Sequence, residues 1–146
     1  MANVKIDITV DTVKLLAVFP KGGEITDHSI IVMTDSNNTP TYQNAFKDKL
    51  VTNAKAGDKI NWKIKSKDGS TNLDFVDYKG DSNMLKVFAV KPVVNSKDKT
   101  DCSGDVKGSM PQATVSTSYT FSFCVNKNPT VIWSWDPDVI VWFPPR

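Results

Sequence analysis

The chain has 146 residues, 40% of them hydrophobic and 23% charged, with a formal net charge of +2. This is the composition of one globular domain over residues 1–146, long enough to bury a core without metal or several disulfides. The near balance of charge excludes the basic patch that nucleic-acid binding needs, and no apolar run approaches the roughly 20 residues that span a bilayer.

Period-two alternation runs through most of the chain. The amino end has no basic region, apolar run or cleavage site of an export signal, so a cytoplasmic protein is expected. From Val4 to Asp11 the even positions are apolar and the odd ones polar, which predicts a strand with one wet face. Asp11 or Thr12 then caps a helix of at most two turns over Val13–Phe19, stopped by Pro20. Gly22-Gly23 reads as a turn, since no phosphate-cradling motif surrounds it. Ser29–Thr34 is a short apolar strand, ended by the turn-rich Asp35–Pro40, and a second short helical piece is expected within Gln43–Val51.

The turn Ala56-Gly57-Asp58 launches Lys59–Lys65, which alternates strictly with Ile60, Trp62 and Ile64 inward, and Lys67–Ser70 closes it. Leu73–Tyr78 and Leu85–Val94 read as strands, with Pro92 marking an edge or an end. Asn95–Pro111 reads as a long polar loop. Thr114–Val125 turns Tyr119, Phe121, Phe123 and Val125 inward against Thr120, Ser122 and Cys124. Two aromatic, β-branched runs then flank Asp136-Pro137-Asp138, which predicts a terminal hairpin. The fold class is all-β: an antiparallel β-sandwich of about 7 to 9 strands with one or two short helices at most.

Chemistry-bearing residues are sparse. The single histidine, His28, lies in Thr26-Asp27-His28-Ser29, but neighbours on a strand point to opposite faces, so Asp27 cannot orient it as a base. No nucleophile elbow or zinc-binding His-Glu-x-x-His is present, and no enzymatic activity is expected. Asp98, Asp101 and Asp105 share the long loop with Lys91, Lys97, Lys99 and Lys107, and their spacing fails the EF-hand pattern, so neither metal nor cofactor is expected. Cys102 and Cys124 lack CxxC spacing. They form either one disulfide across a loop of about 20 residues, worth about 3 kcal/mol, or two free thiols in a reducing cytoplasm. Trp133, Trp135, Asp136 and Asp138, with Trp62, Trp142 and Asn72, supply the residue types of a sugar-binding sandwich. Against that, Trp62 alternates with isoleucines, and Trp133 and Trp135 share one face, which suits the core or a subunit interface.

One family carries several of these features together. Ile8-Thr9-Val10-Asp11-Thr12, Leu15-Leu16, Phe19-Pro20, Asp27-His28 before an apolar strand, Ala56 through Trp62, and Trp135-Asp136-Pro137-Asp138-Val139-Ile140-Val141 lie in the order found in the bacterial PixA/AidA inclusion-body proteins, which the chain resembles over nearly its whole length. The spacer from Pro20 to Asp27 is shorter than that pattern, and the cysteine-bearing loop has no counterpart in it. The resemblance implies a self-associating protein without enzymatic activity, found in cytoplasmic inclusion bodies and produced under quorum or phase control in host-associated bacteria. It implies structural roles: Asp11 bonding backbone at a strand end, His28 fixing the start of the next strand, Trp62 and Trp135 in the core, and Asp136 capping the terminal turn. The expected partner is a second copy of the chain, with a glycan or other small ligand as the alternative.

Overall fold

The structure, a computed structural model, describes residues 3–36, 41–42, 46–108, 114–136 and 138–142; the side chains of 41, 114 and 138–142 lie outside that description. In chain order the elements are β1 (Asn3–Val10), α1 (Thr12–Val18), β2 (Gly23–Glu24), β3 (Ile31–Asp35), β4 (Thr41–Tyr42), β5 (Leu50–Lys55) and β6 (Lys59–Ser66). They continue with β7 (Leu73–Gly80), α2 (Met84–Val87), β8 (Val93–Val94), β9 (Asp101–Asp105), β10 (Thr114–Val125), β11 (Trp133–Trp135) and β12 (Asp138–Trp142). The mostly-β architecture, two sheets with two short helices, agrees with the sequence expectation. Both sheets are mixed, because β1 with β6, β2 with β11 and β5 with β12 pair in parallel.

The first sheet has the order β3-β1-β6-β9-β8. Val4, Ile6, Ile8 and Val10 of β1 turn to one buried face, and their register with β6 sets Ile6 beside Trp62 and Ile8 beside Ile64. β10 is the spine of the second sheet. β7 pairs along one edge, with Phe121 opposite Tyr78, and β11 and β12 pair along the other. β2 extends β11, while β5 and then β4 extend β12.

Between the sheets lies an aromatic cluster. The Trp62 ring stands 5.4 Å from Tyr78, 5.6 Å from Tyr119, 5.4 Å from Phe121 and 6.1 Å from Phe88. Its indole N–H donates to the Tyr119 hydroxyl at 3.1 Å, so one hydrogen bond joins the two sheets inside the apolar core. Phe75 and Tyr78 both face inward although they are three residues apart. A β-bulge against Ser122/Phe123 inserts the extra residue that restores the alternation.

Four sequence expectations are corrected. The terminal segment is not a hairpin: β11 and β12 follow β10 in one unbroken register, from Phe123 opposite Trp133 to Thr114 opposite Trp142. Residue 137 lies outside the described residues, and the same register with β10 holds on either side of it. Leu50 and Val51, placed in a helix from the sequence, open β5; residues 43–45 of that segment lie outside the described residues. The run Leu85–Val94 is mostly not a strand. Asp81 accepts from the Asn83 amide at 2.9 Å ahead of α2, and the extended, paired residues of the run are Phe88, bridged to Val106, and Val93–Val94.

The polar stretch read as a loop contains β9, whose inward residues are Cys102 and Gly104. A Cβ on Gly104 would lie 2.9 Å from the Pro92 ring and 3.0 Å from Phe88, so only glycine fits beneath them. Small inward residues erase the apolar alternation that marks a strand.

Removing the central indole tests this core. Trp62→Ala is expected to cost about 3–5 kcal/mol in urea denaturation. Among the described residues the buried Tyr78 hydroxyl has no hydrogen-bond partner, so Tyr78→Phe is expected to be neutral or to stabilise by up to about 1 kcal/mol. A large loss on Tyr78→Phe would contradict this reading.

Candidate functional site

The residues considered for sugar binding do not form a platform. Trp133 and Trp135 are buried at 3% and 1% exposure on the inner face of β11. The Trp133 indole donates to the Phe19 carbonyl at 2.7 Å, which ties the end of α1 to the second sheet, and the Trp135 indole points at the Met33 sulfur at 3.5 Å. Buried rings with engaged N–H groups have no face left for a ligand. Trp62 is likewise core. Asp136 is exposed and bridges strands instead of capping a turn: its carboxylate accepts from the Thr120 hydroxyl at 2.7 Å, and its carbonyl accepts from the Lys49 ammonium at 2.7 Å. The Asp138 side chain lies outside the described residues.

Asp11 accepts from the Lys14 amide at 3.1 Å and so caps α1, and its own amide donates to the Ile30 carbonyl at 2.8 Å. That pair of bonds fixes how the chain leaves β1 and returns to β3. Gly22, at φ +84, passes so close to β11 that a Cβ would sit 2.6 Å from the Ile132 carbonyl oxygen. Backbone approach thus holds this turn, with no anion-cradling loop around it.

His28 has a partner that the sequence did not reveal. Its Nδ1 lies 2.9 and 3.1 Å from the two carboxylate oxygens of Asp48, and its ring stacks on Phe46 at 3.9 Å and 11°. Asp48 is buried and the imidazole is half-exposed. A carboxylate accepts only, so Nδ1 carries the proton and donates. The arrangement orients the ring as in a catalytic dyad, yet the adjacent nucleophile type is committed elsewhere: the Ser29 hydroxyl donates to Asp27 at 2.5 Å and meets the Lys14 ammonium. The pair acts as a strut between the turn before β3 and the segment before β5. Asp48 lies 20 residues from His28, within the segment that the sequence placed in a short helix, so nothing local signalled the pairing.

Cys102 and Cys124 are free thiols in different sheets. Burial pushes the Cys102 thiol up to about 12, and burial, then the Asp74 carboxylate, raises Cys124. Among the described residues, no group of three or more His, Cys, Asp or Glu converges as a metal site requires. Also among them, no helix is long and apolar enough to cross a membrane.

Two predictions follow from these contacts. His28→Ala leaves the buried Asp48 carboxylate without its donor and is expected to cost about 2 kcal/mol. Adding Asp48→Ala should recover part of that loss; strictly additive costs in the double variant would show that the two side chains do not act as a pair. A thiol reagent at pH 8 is expected to leave the native protein unlabelled and to find two thiols after unfolding in guanidinium. No thiols in the unfolded chain would mean a disulfide.

The chain matches a family model described as a domain of unknown function (DUF8788) over residues 2–131. The crystal structure of an inclusion body protein, PixA, from Burkholderia cenocepacia J2315 aligns with a TM-score of 0.68 at 13% identity, covering 96% of this chain and 95% of that one. The fold is therefore PixA-like. A nucleoside hydrolase-related hypothetical protein from Saccharophagus degradans, associated with carbohydrate metabolism, aligns at a TM-score of 0.38 and 13% identity, over 71% of this chain and 25% of that one. At that score the second likeness carries no argument. No curated protein sequence matches the chain.

Proposed function

This chain belongs to the DUF8788 family, and we propose that it is a non-enzymatic, self-associating protein of the PixA-like inclusion-body type. The observation that carries the reading is the outer face of α1. Thr12 and Leu15 are buried against the sheets, while Val13, Leu16 and Val18 are exposed at 73%, 44% and 48%. Val13, Leu16 and Ala17 follow the spacing of one helical face, so this helix is apolar on both sides. An apolar outer face on a two-turn helix is the kind of surface that a second subunit covers. The PixA-like fold supports the same reading, because the aligned protein is an inclusion body protein. Assembly in the cytoplasm and quorum- or phase-controlled production in a host-associated bacterium belong to the proposal with it.

Sedimentation tests self-association directly. The wild type is expected to form dimers or larger species that build with concentration, and Val13→Lys with Leu16→Lys to sediment as a 16.2 kDa monomer with an unchanged circular dichroism spectrum. A wild type that stays monomeric at high concentration would overturn the proposal, and association unchanged in the double variant would remove α1 from it.

A further inference from the structure

A cleft of about 670 Å³ opens where the outer edge of β7, the turn after β10 and the 94–100 segment meet. Its size is that of a small-molecule site. Val76, Val94 and Pro129 give it apolar wall, the buried Cys124 lines it, and Lys97, Lys99 and Lys127 stand around it. Among the ion pairs of the described residues, none involves these three lysines. Two carboxylates also line the cleft. Asp98 accepts from the Thr100 amide and hydroxyl and lies 3.8 Å from the Lys63 ammonium, so three lysines of the cleft face Asp74 and a partly paired Asp98.

The walls are built, not draped. The Phe75 amide donates to the Lys99 carbonyl at 2.7 Å and the Ile64 amide to the Thr100 carbonyl at 3.0 Å, so the segment is pinned to both sheets. Its start is held by Asn95, which accepts from the Lys97 amide at 2.9 Å.

Lys127 supplies the second, independent observation. Asn126 and Lys127 have φ of +52 and +58, and the Asn128 amide donates to the Val125 carbonyl at 3.1 Å, which makes a type I′ turn. Asparagine tolerates that backbone, but at the second central position glycine is the relaxed choice and a long side chain is strained. Strain of this kind collects at ligand clamps, where a side chain is needed in spite of its backbone cost. Here the strained residue is one that brings a positive charge to the cleft.

We infer that this cleft binds a small organic anion, with its carboxylate or phosphate on Lys97, Lys99 and Lys127 and its apolar body against Val76, Val94 and Pro129. Ammonium groups act as point charges and accept either anion.

Amide chemical shifts of the full chain, titrated with phenyl phosphate and with benzoate, test the inference. Saturable shifts are expected for at least one of the two anions, confined to residues 72–76, 94–100 and 124–129. Inorganic phosphate and phenol, each lacking half of the recognised chemistry, should bind at least about tenfold more weakly. Lys127→Gln should weaken binding by about tenfold or more. Lys127→Gly should lose binding to the same degree while raising Tm by about 3 °C, since glycine relaxes the turn. No saturable shifts with either aromatic anion at millimolar concentration would overturn the site, as would shifts mapping elsewhere or affinity unchanged in Lys127→Gln. A Lys127→Gly variant that keeps both its affinity and its Tm would do the same.

Discussion

The structure depends on one buried contact between the sheets, the indole of Trp62 on the hydroxyl of Tyr119. Two large amphipathic rings meet there from opposite layers, each bringing a polar group that must be satisfied once water is gone. The bond fixes how Trp62 enters the second sheet, and with it the tilt at which Tyr78, Phe88 and Phe121 gather around the ring. β1 follows from β6 because their parallel register runs unbroken from Asn3 beside Lys59 to Val10 beside Ser66. β9 follows as well, since a residue as small as Cys102 is what sits beside the indole in register.

Stretches of the sheet edges at β3, β7 and β10 are closed by side chains and loop carbonyls. Where β7 stops at Gly80, the Asp81 carboxylate accepts from the Ser118 amide and the Asn83 amide group donates to the Ser116 carbonyl, so the rest of the β10 edge has partners. The Met33 amide of β3 donates to the Lys47 carbonyl, and the Phe75 amide of β7 to the Lys99 carbonyl. Edges satisfied in this way are poor templates for strand addition. Under the proposed self-association, copies would meet through side-chain faces such as that of α1 and not by edge-to-edge pairing.

The same economy explains where chemistry is absent and where it gathers. Trp133 and Trp135 tie the carboxyl-terminal strand line to α1 and β3, which removes them from any ligand surface. The cationic cleft arises instead where the segment that seals the β7 edge passes the turn leaving β10. Edge closure and cleft formation come from one set of backbone bonds, so the cleft is preformed, with no ordering needed beyond that of the fold.

Alternation alone determined much of the protein. The inward sets Val4, Ile6, Ile8 and Val10, then Ile60, Trp62 and Ile64, then Tyr119, Phe121 and Phe123 were legible because period two places every second residue on one face. The cap of α1 was narrowed to Asp11 or Thr12, since capping is settled within four residues, and the structure gives it to Asp11. Only the tertiary structure decided the rest. β9 was hidden because its inner face carries only Cys102 and Gly104, and a Cβ on Gly104 would run into Phe88 and Pro92. The terminal segment continues straight past Asp136 because β10 and β5 hold both of its neighbours in register, a constraint that outweighs the local turn preference of Asp-Pro. Asp48 beneath His28, and three lysines around one cleft, are set by segments distant in sequence. Local chemistry chooses which face a residue takes; only the packing of remote strands chooses what that face meets.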